Sequence, residues 1–263
     1  MTQYSDGVRI GTAGTQQGTG TVRPVPHKLL NIGSTASPIY VNNSVGSTGI
    51  QGGVPLLADA ALAVAPVTSF TNNLATAQTV GAGAFFTLTA GTGITSTTVN
   101  GVPAFALDTP RTLTLTGAST ATTSSVATVM GWDIYGDTMS QTVITPVSTA
   151  AAATLKAFAY VSSIQSASTT TAGVSVGVGS AFGLPFAASD FGYVRAAWNQ
   201  IYPTVSTGFV PADLTSPSTA ATGDVRGTYT PQTTSPDGAK MLVVNQILKS
   251  TANVDLAYGV IQN

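Results

Sequence analysis

One short motif of this 263-residue chain, Gly173-Val174-Ser175-Val176-Gly177, could supply a nucleophile. Its G-x-S-x-G spacing is that of the nucleophile elbow, in which a strand turns sharply into a helix and a histidine follows later in the chain. Here valines alternate with small residues, and His27, the one histidine, comes far earlier. The pattern therefore predicts a strand with small outward residues, and no catalytic serine.

Metal chemistry has few candidates. Asp133 and Asp137 flank a Tyr-Gly corner and could share a cation, but a hard cation takes six or more oxygens and no third acid is near in sequence. His27 has no second histidine beside it, and the chain has no cysteine for thiolate zinc sites or disulfides. Turn-stabilising aspartates are the favoured interpretation. We therefore predict no catalytic, cofactor-binding or metal-binding residues.

Two other motifs could suggest a ligand. Residues 11–21, GTAGTQQGTGT, lack the Gly-Lys-Ser/Thr ending of a phosphate-binding loop. Asp224-Val225-Arg226-Gly227 predicts a turn with a local Asp/Arg pair. With nine basic and ten acidic residues, the chain has no excess of positive charge to attract a phosphate backbone. We therefore expect no nucleic-acid partner.

The elements that carry these residues are predicted to be strands. From 125 to 134, bulky apolar side chains such as Met130 and Trp132 stand at even positions, and small or polar ones at odd positions. This alternation predicts a strand that buries its even face, with Trp132 in the core. Similar alternation predicts strands at 86–90, 112–116, 138–145, 174–178 and 254–260, the last forming a final hairpin with 241–248.

One segment could be a helix. Leu56 to Ala65 is apolar and alanine-rich, and Pro55 and Pro66 limit it to about two or three turns. The sequence leaves open whether this helix forms. The fold class predicted for the whole chain is all-β.

The chain divides into three regions by composition and hydrophobic pattern. Residues 1–26 have no hydrophobic periodicity, which predicts an extended arm. Because fixing the backbone of each residue costs about 1–2 kcal/mol in conformational entropy, this arm would be ordered only if it packed against partner subunits. Residues 27–183 predict the main antiparallel β-sandwich, of jelly-roll or Ig-like topology, and 184–263 a smaller C-terminal β unit. The 43% hydrophobic content suffices for a core.

No membrane role is expected. The start of the chain shows neither the basic nor the apolar region of a leader peptide, and no apolar run reaches the roughly 18 to 20 residues that span a bilayer. We therefore expect synthesis in the cytoplasm.

Several motifs follow one another in a distinctive order. Arg111 opens a strand, Gly131, Asp133 and Gly136 form a G-x-D-x-x-G corner, and a strand with Phe158 and a Val/Gly strand follow. Together with the stretch NLATAQTVGAGAFFTLTAG, this order resembles a β-sandwich module of tailed-bacteriophage virion proteins, over about residues 72–250. Where that family often has an acid after the corner, this chain has Ser-Gln at 140–141, which removes a charge without disturbing the strand.

The resemblance implies a structural virion protein, and the scattered charged residues, the lone histidine and the nucleophile motif inside a strand predict that the chain is not an enzyme. The favoured hypothesis is a capsid decoration or cement protein on the capsid surface, a homotrimer that binds the major capsid protein. The alternative is a tail, baseplate or fibre component that binds another tail protein or a host surface glycan. A depolymerase is disfavoured because no convincing carboxylate pair is present.

Overall fold

A computed structural model describes residues 56–188, 194–198, 208–231, 234–248 and 259–263. These residues form strands and contain no helix, so the predicted all-β class is confirmed. The same residues accordingly provide no helix that could cross a membrane. The strands are β1 (Leu56–Val64), β2 (Ala75–Gln78), β3 (Ile94–Val99), β4 (Val102–Gly117), β5 (Val126–Trp132), β6 (Thr138–Ile144), β7 (Ala151–Ala153), β8 (Phe158–Ser166), β9 (Val174–Gly183), β10 (Val194–Trp198), β11 (Phe209–Val210), β12 (Thr228–Tyr229) and β13 (Leu242–Leu248).

The strands form two antiparallel sheets. The larger has 10 strands in the order β11-β12-β9-β4-β8-β5-β6, with β2 paired to β9 and β3 and β7 paired to β4. This sheet curls into a half-barrel. The smaller sheet has the order β1-β13-β10. A sandwich of jelly-roll or Ig-like type remains a prediction.

The strands from the C-terminal region do not stand apart from the earlier ones. β12 pairs with β9, and β13 pairs with both β1 and β10. A second apolar cluster forms where they meet, built from Phe182, Leu184, Ala188, Tyr229 and Leu242. The main cluster lies between β4, β5, β8 and β9 and includes Leu113, Leu115, Val129, Phe158, Val161, Ile164, Val176 and Val178.

The face predicted for β5 is wrong. The odd positions Ala127 and Val129 are fully buried, whereas Val126 is 41% exposed and Met130 half-buried. Bulk alone did not decide the inner face, because folded proteins leave many large apolar side chains at their surface. Trp132, at the end of the strand, is buried as expected.

Two other predicted elements differ from the structure. Residues 86–90 form no strand, and only Phe85 makes an isolated bridge, to Gln165. The helix candidate at 56–65 is strand β1, which pairs with β13 along most of its length. Tertiary pairing overrides the helix propensity of an alanine-rich segment. The predicted arm, His27 and the predicted strand from 254 to 258 lie outside the described residues, and residues 259 and 260 are not in a strand.

Candidate functional site: a buried charged cluster

The corner between β5 and β6 is organised by Asp133. Its Oδ1 accepts hydrogen bonds from the main-chain N–H groups of Tyr135 at 2.8 Å and Asp137 at 3.0 Å. Gly136 adopts a φ of 85°, a region that favours glycine. The predicted turn-stabilising role of Asp133 is confirmed.

The other oxygen of Asp133 reaches a distant part of the chain. Oδ2 accepts a hydrogen bond from Arg226 Nη1 at 2.9 Å, and both side chains are buried, at 0% and 4% exposure. The guanidinium lies 5.3 Å from the centre of the Tyr135 ring, and the Tyr135 hydroxyl donates to the carbonyl of Pro185 at 2.6 Å. This ion pair therefore joins the β5–β6 corner to the segment before β12.

Asp224 does not pair with the side chain of Arg226, so the predicted local Asp/Arg pair is wrong. Its Oδ1 accepts from the main-chain N–H of Arg226 at 2.9 Å, and its carbonyl accepts from Gly227 N–H at 3.2 Å, which closes the predicted turn. Its Oδ2 accepts from Ala157 N–H at 2.9 Å. Burial raises the pKa of Asp224, against the opposing effects of Arg226 and of these donors.

Lys156 is fully buried next to this turn. Its Nζ donates to Ser218 Oγ at 3.1 Å and to the main-chain oxygen of Asn263 at 2.5 Å. Burial lowers the pKa of Lys156 to about 8, although Asp224 and Asp213 attract the protonated form. The ammonium is thus held by Ser218 and Asn263, with the carboxylates of Asp224 and Asp213 nearby.

The Lys156 and Ser218 pair has the residue types of a serine–lysine nucleophile and base. Ser218 is only 1% exposed, however, and its Oγ also lies 3.1 Å from Thr222 Oγ1. A substrate from solvent does not reach this hydroxyl without the surrounding loop opening. The contacts therefore describe a structural tie between the main sheet, the 216–222 loop and the 259–263 segment.

Gln141 extends this tie to β6. Its Oε1 accepts from Lys156 N–H at 3.2 Å, and its Nε2 donates to Ala220 O at 2.9 Å. Ala220 O also accepts from Thr142 N–H at 2.7 Å. The neutral side chain at 141 therefore bridges two segments.

A third buried cation, Arg111, lies within β4. Arg111 Nη1 bonds both carboxylate oxygens of Asp108 at 3.1 Å, and it also donates to Val67 O at 3.2 Å. Its Nε donates to Gly179 O at 2.8 Å, and its Nη2 donates to the same carbonyl. The guanidinium lies 5.1 Å from the centre of the Phe182 ring. Burial lowers the pKa of Arg111, while Asp108 acts in the opposite direction.

Residues three apart lie on opposite faces of a regular strand. Asp108 and Arg111 can therefore form a pair only where β4 departs from regular geometry. The pairing of β4 with β8 shifts between Ala106 and Arg111, and that with β9 shifts between Arg111 and Leu113. Pro110, which has no N–H to donate, lies within the first shift. The distortion allows Asp108 and Arg111 to meet.

The strand predicted at 174–178 is confirmed as part of β9, but Gly177, predicted to face outward, is buried. Ser175 is half-buried in β9 and pairs with Thr116 of β4. It is in a continuous strand, and not at the strand-to-helix turn of a nucleophile elbow. In the described part of the chain, no three His, Cys, Asp or Glu side chains are grouped to hold a metal ion.

Sequence reasoning missed Lys156 and the pair of Asp108 with Arg111. A signal was present, because only 7% of residues are charged and these three stand within or beside apolar strand patterns. A lone charge in such a context is expected to be buried with partners. The hydrogen-bond partners of Lys156 and Arg111 could not be predicted from the sequence, since most of them are main-chain oxygens of residues far away in the chain.

In comparisons with known proteins, no family model, curated protein or solved structure matches this chain.

Proposed function

We propose that this protein is a structural component of a tailed-bacteriophage virion, which decorates the capsid and stabilises it by binding the major capsid protein. The sequence motifs from Arg111 to the Val/Gly strand β9 support this assignment by their resemblance to virion modules. The use of charge in the described residues supports a structural role independently.

The observation that carries the proposal is how the buried charges are used. Arg226 is paired with Asp133, Arg111 with Asp108, and Lys156 with Ser218 and Asn263. The contacts of Arg226 and Lys156 join the sheet to distant segments, and Arg111 also donates to the carbonyls of Gly179 and Val67. These buried side chains therefore stabilise the fold through their hydrogen bonds, which suits a rigid structural protein.

The neutral surface also suits a shell protein. β3, β5, β6, β8 and β9 contain no charged residue. Threonine and serine hydroxyls on such strands both donate and accept hydrogen bonds, so they can form many polar contacts without burying a charge. We propose that the body binds capsid protein as a homotrimer and that residues 1–26 extend the contact.

Copy number in the virion tests the location. Quantitative mass spectrometry of purified particles should give an amount comparable to that of the major capsid protein. A small fixed number of copies per particle would instead support the tail, baseplate or fibre alternative.

Removal and replacement test the activity. A ligand that binds only the assembled state stabilises it by mass action, so particles stripped of this protein should release DNA at a lower temperature. Adding back the full chain should restore the release temperature, and a chain lacking residues 2–26 should fold but restore it less. Stripped particles of unchanged stability that fail to adsorb to the host would contradict the capsid role.

A further inference from the structure

Among the described residues, the β3–β4 hairpin presents an open strand edge. Its turn is Asn100-Gly101, with φ angles of 51° and 80°, the two positive values of a type I′ turn. β3 pairs with β4 without interruption from Ile94 opposite Leu107 to Val99 opposite Val102. Within the described ranges, no strand pairs with the other edge of β3.

The turn fixes which main-chain groups face that open edge. In a two-residue hairpin, the residues flanking the turn exchange hydrogen bonds, and such pairs alternate along the ladder. Val99, Thr97 and Thr95 therefore bond to β4. Ser96 and Thr98 point their N–H and C=O groups away from it, as does Ile94, whose N–H donates to Gly91 O at 3.0 Å.

Other edge strands in the described part of the chain are protected by the means that proteins use against unwanted pairing. β7 and β11 have three and two residues, and the ladders of β1 and β2 are irregular. The outward N–H of Thr142 in β6 is taken by Ala220 O, and β10 contains Arg195. β3, with the sequence ITSTTV, has no charge, no proline and no bulge.

We propose that this edge binds the same edge of a second copy, as an antiparallel β3–β3 pair about a twofold axis at Thr97. In this register Ser96 of one copy lies opposite Thr98 of the other, so the outward-facing groups meet and each such pair exchanges two hydrogen bonds. The side chains of Thr95, Ser96 and Thr98 are exposed.

The chemistry of the edge favours a second copy as the occupant. A twofold axis places each side chain close to its own equivalent, so a charged edge would repel itself. Hydroxyls donate and accept, and a Ser/Thr edge is therefore complementary to itself. The contact joins two copies whatever else holds each of them, and in a trimer it would link neighbouring trimers.

Charge-swap variants at the axis test the pairing. Sedimentation velocity of the purified wild-type chain should show a concentration-dependent doubling of mass. Thr97→Lys and Thr97→Asp should each weaken this association by about tenfold or more, because like charges then lie opposite each other. An equimolar mixture of the two variants should regain it. Thr138→Lys, at an exposed position of edge strand β6, is the matched control and should associate like wild type.

Thermal melts identify any variant that has lost its fold. For that case Ser96→Pro provides a second test, because it removes an N–H that faces the open edge without removing a bond to β4. Absence of mass doubling in the wild type, or unchanged association in Thr97→Lys, overturns the proposal. A Thr97→Lys variant that loses binding to capsids while the wild type never self-associates identifies a different protein as the partner, and also overturns it.

Discussion

Arg111 and Arg226 are both almost fully buried, at 0% and 3% exposure, and each lies over an aromatic ring. Their carboxylate partners differ in distance along the chain, since Asp108 is 3 residues from Arg111 whereas Asp133 is 93 residues from Arg226. The first ion pair therefore lies within one strand, whereas the second joins two segments that are far apart in the sequence.

The two ion pairs differ in the hydrogen bonds that their members make to other groups. Arg111 donates to the carbonyls of Gly179 and Val67 as well as to Asp108, which is 13% exposed and also accepts from Val67 N–H at 2.8 Å. Asp133 Oδ2 has Arg226 as its partner and is fully buried. Both carboxylates also accept from main-chain N–H groups, but Arg111 has main-chain acceptors beside its carboxylate, whereas the hydrogen bond of the Arg226 guanidinium goes to Asp133.

The largest effect is therefore expected at Asp133. Asp133→Asn removes the hydrogen-bonded countercharge of the buried Arg226 guanidinium, and breaking a buried pair from one side costs about 3–5 kcal/mol. Chemical denaturation measures this loss in the free energy of unfolding. Adding Arg226→Met to Asp133→Asn should recover part of it, and a double variant no more stable than Asp133→Asn would contradict the coupling.

Lys156 extends the comparison to a buried cation whose hydrogen bonds go to Ser218 and Asn263 and not to an Asp or Glu side chain. Its pKa of about 8 in the folded protein lies below the ordinary 10.5, so above pH 8 the unfolded chain binds more protons than the folded one. Stability should then rise with pH, by about 2 kcal/mol between pH 8 and 9.5.

Lys156→Met is the control for this pH dependence. The variant removes the titrating amine while keeping an unbranched side chain, so its unfolding free energy should lack the rise over the same range. Measurements should stop below pH 10, because burial raises the pKa of Tyr229 and this opposes the rise at higher pH. An equal rise in wild type and variant would show that another group causes it.

Asp108→Asn should have a smaller effect than Asp133→Asn. Arg111 keeps the carbonyls of Gly179 and Val67 as acceptors, and residue 108 is partly exposed. We expect a loss of about 1–3 kcal/mol in chemical denaturation, the range for removing one charged hydrogen-bond partner. A loss equal to that of Asp133→Asn would mean that main-chain acceptors do not substitute for a countercharge.

These contacts also show what the sequence could predict. The strands at 126–132 and 138–144 and the first half of the strand at 174–183 follow from alternation, and the Asp133 corner follows from its residue types. The inner face of β5 did not follow, because packing by neighbouring strands decides it. The Asn100-Gly101 pair is a hairpin signal in the sequence, and it lies outside the alternating segments from which strands were predicted.

The long-range partners could not have been predicted. Arg226 has Asp224 two residues away in sequence, yet its side chain bonds Asp133. Local spacing favoured the nearer acid, whose carboxylate is instead occupied by main-chain N–H groups. The choice depends on how β12 and the corner meet in three dimensions.

The smallest effect is expected at the exposed pair of Asp237 and Lys240, three residues apart like Asp108 and Arg111. Lys240 Nζ lies 2.7 Å from Asp237 Oδ2, and the two side chains are 25% and 44% exposed for Lys240 and Asp237. Hydrogen bonds from Lys240 and from main-chain N–H groups lower the pKa of Asp237 to about 2. Solvent and salt screen such a pair, so Lys240→Ala should leave the denaturation midpoint unchanged at moderate ionic strength. A loss comparable to that of Asp108→Asn would show that burial is not what separates these two pairs, and that the short spacing itself provides the stability.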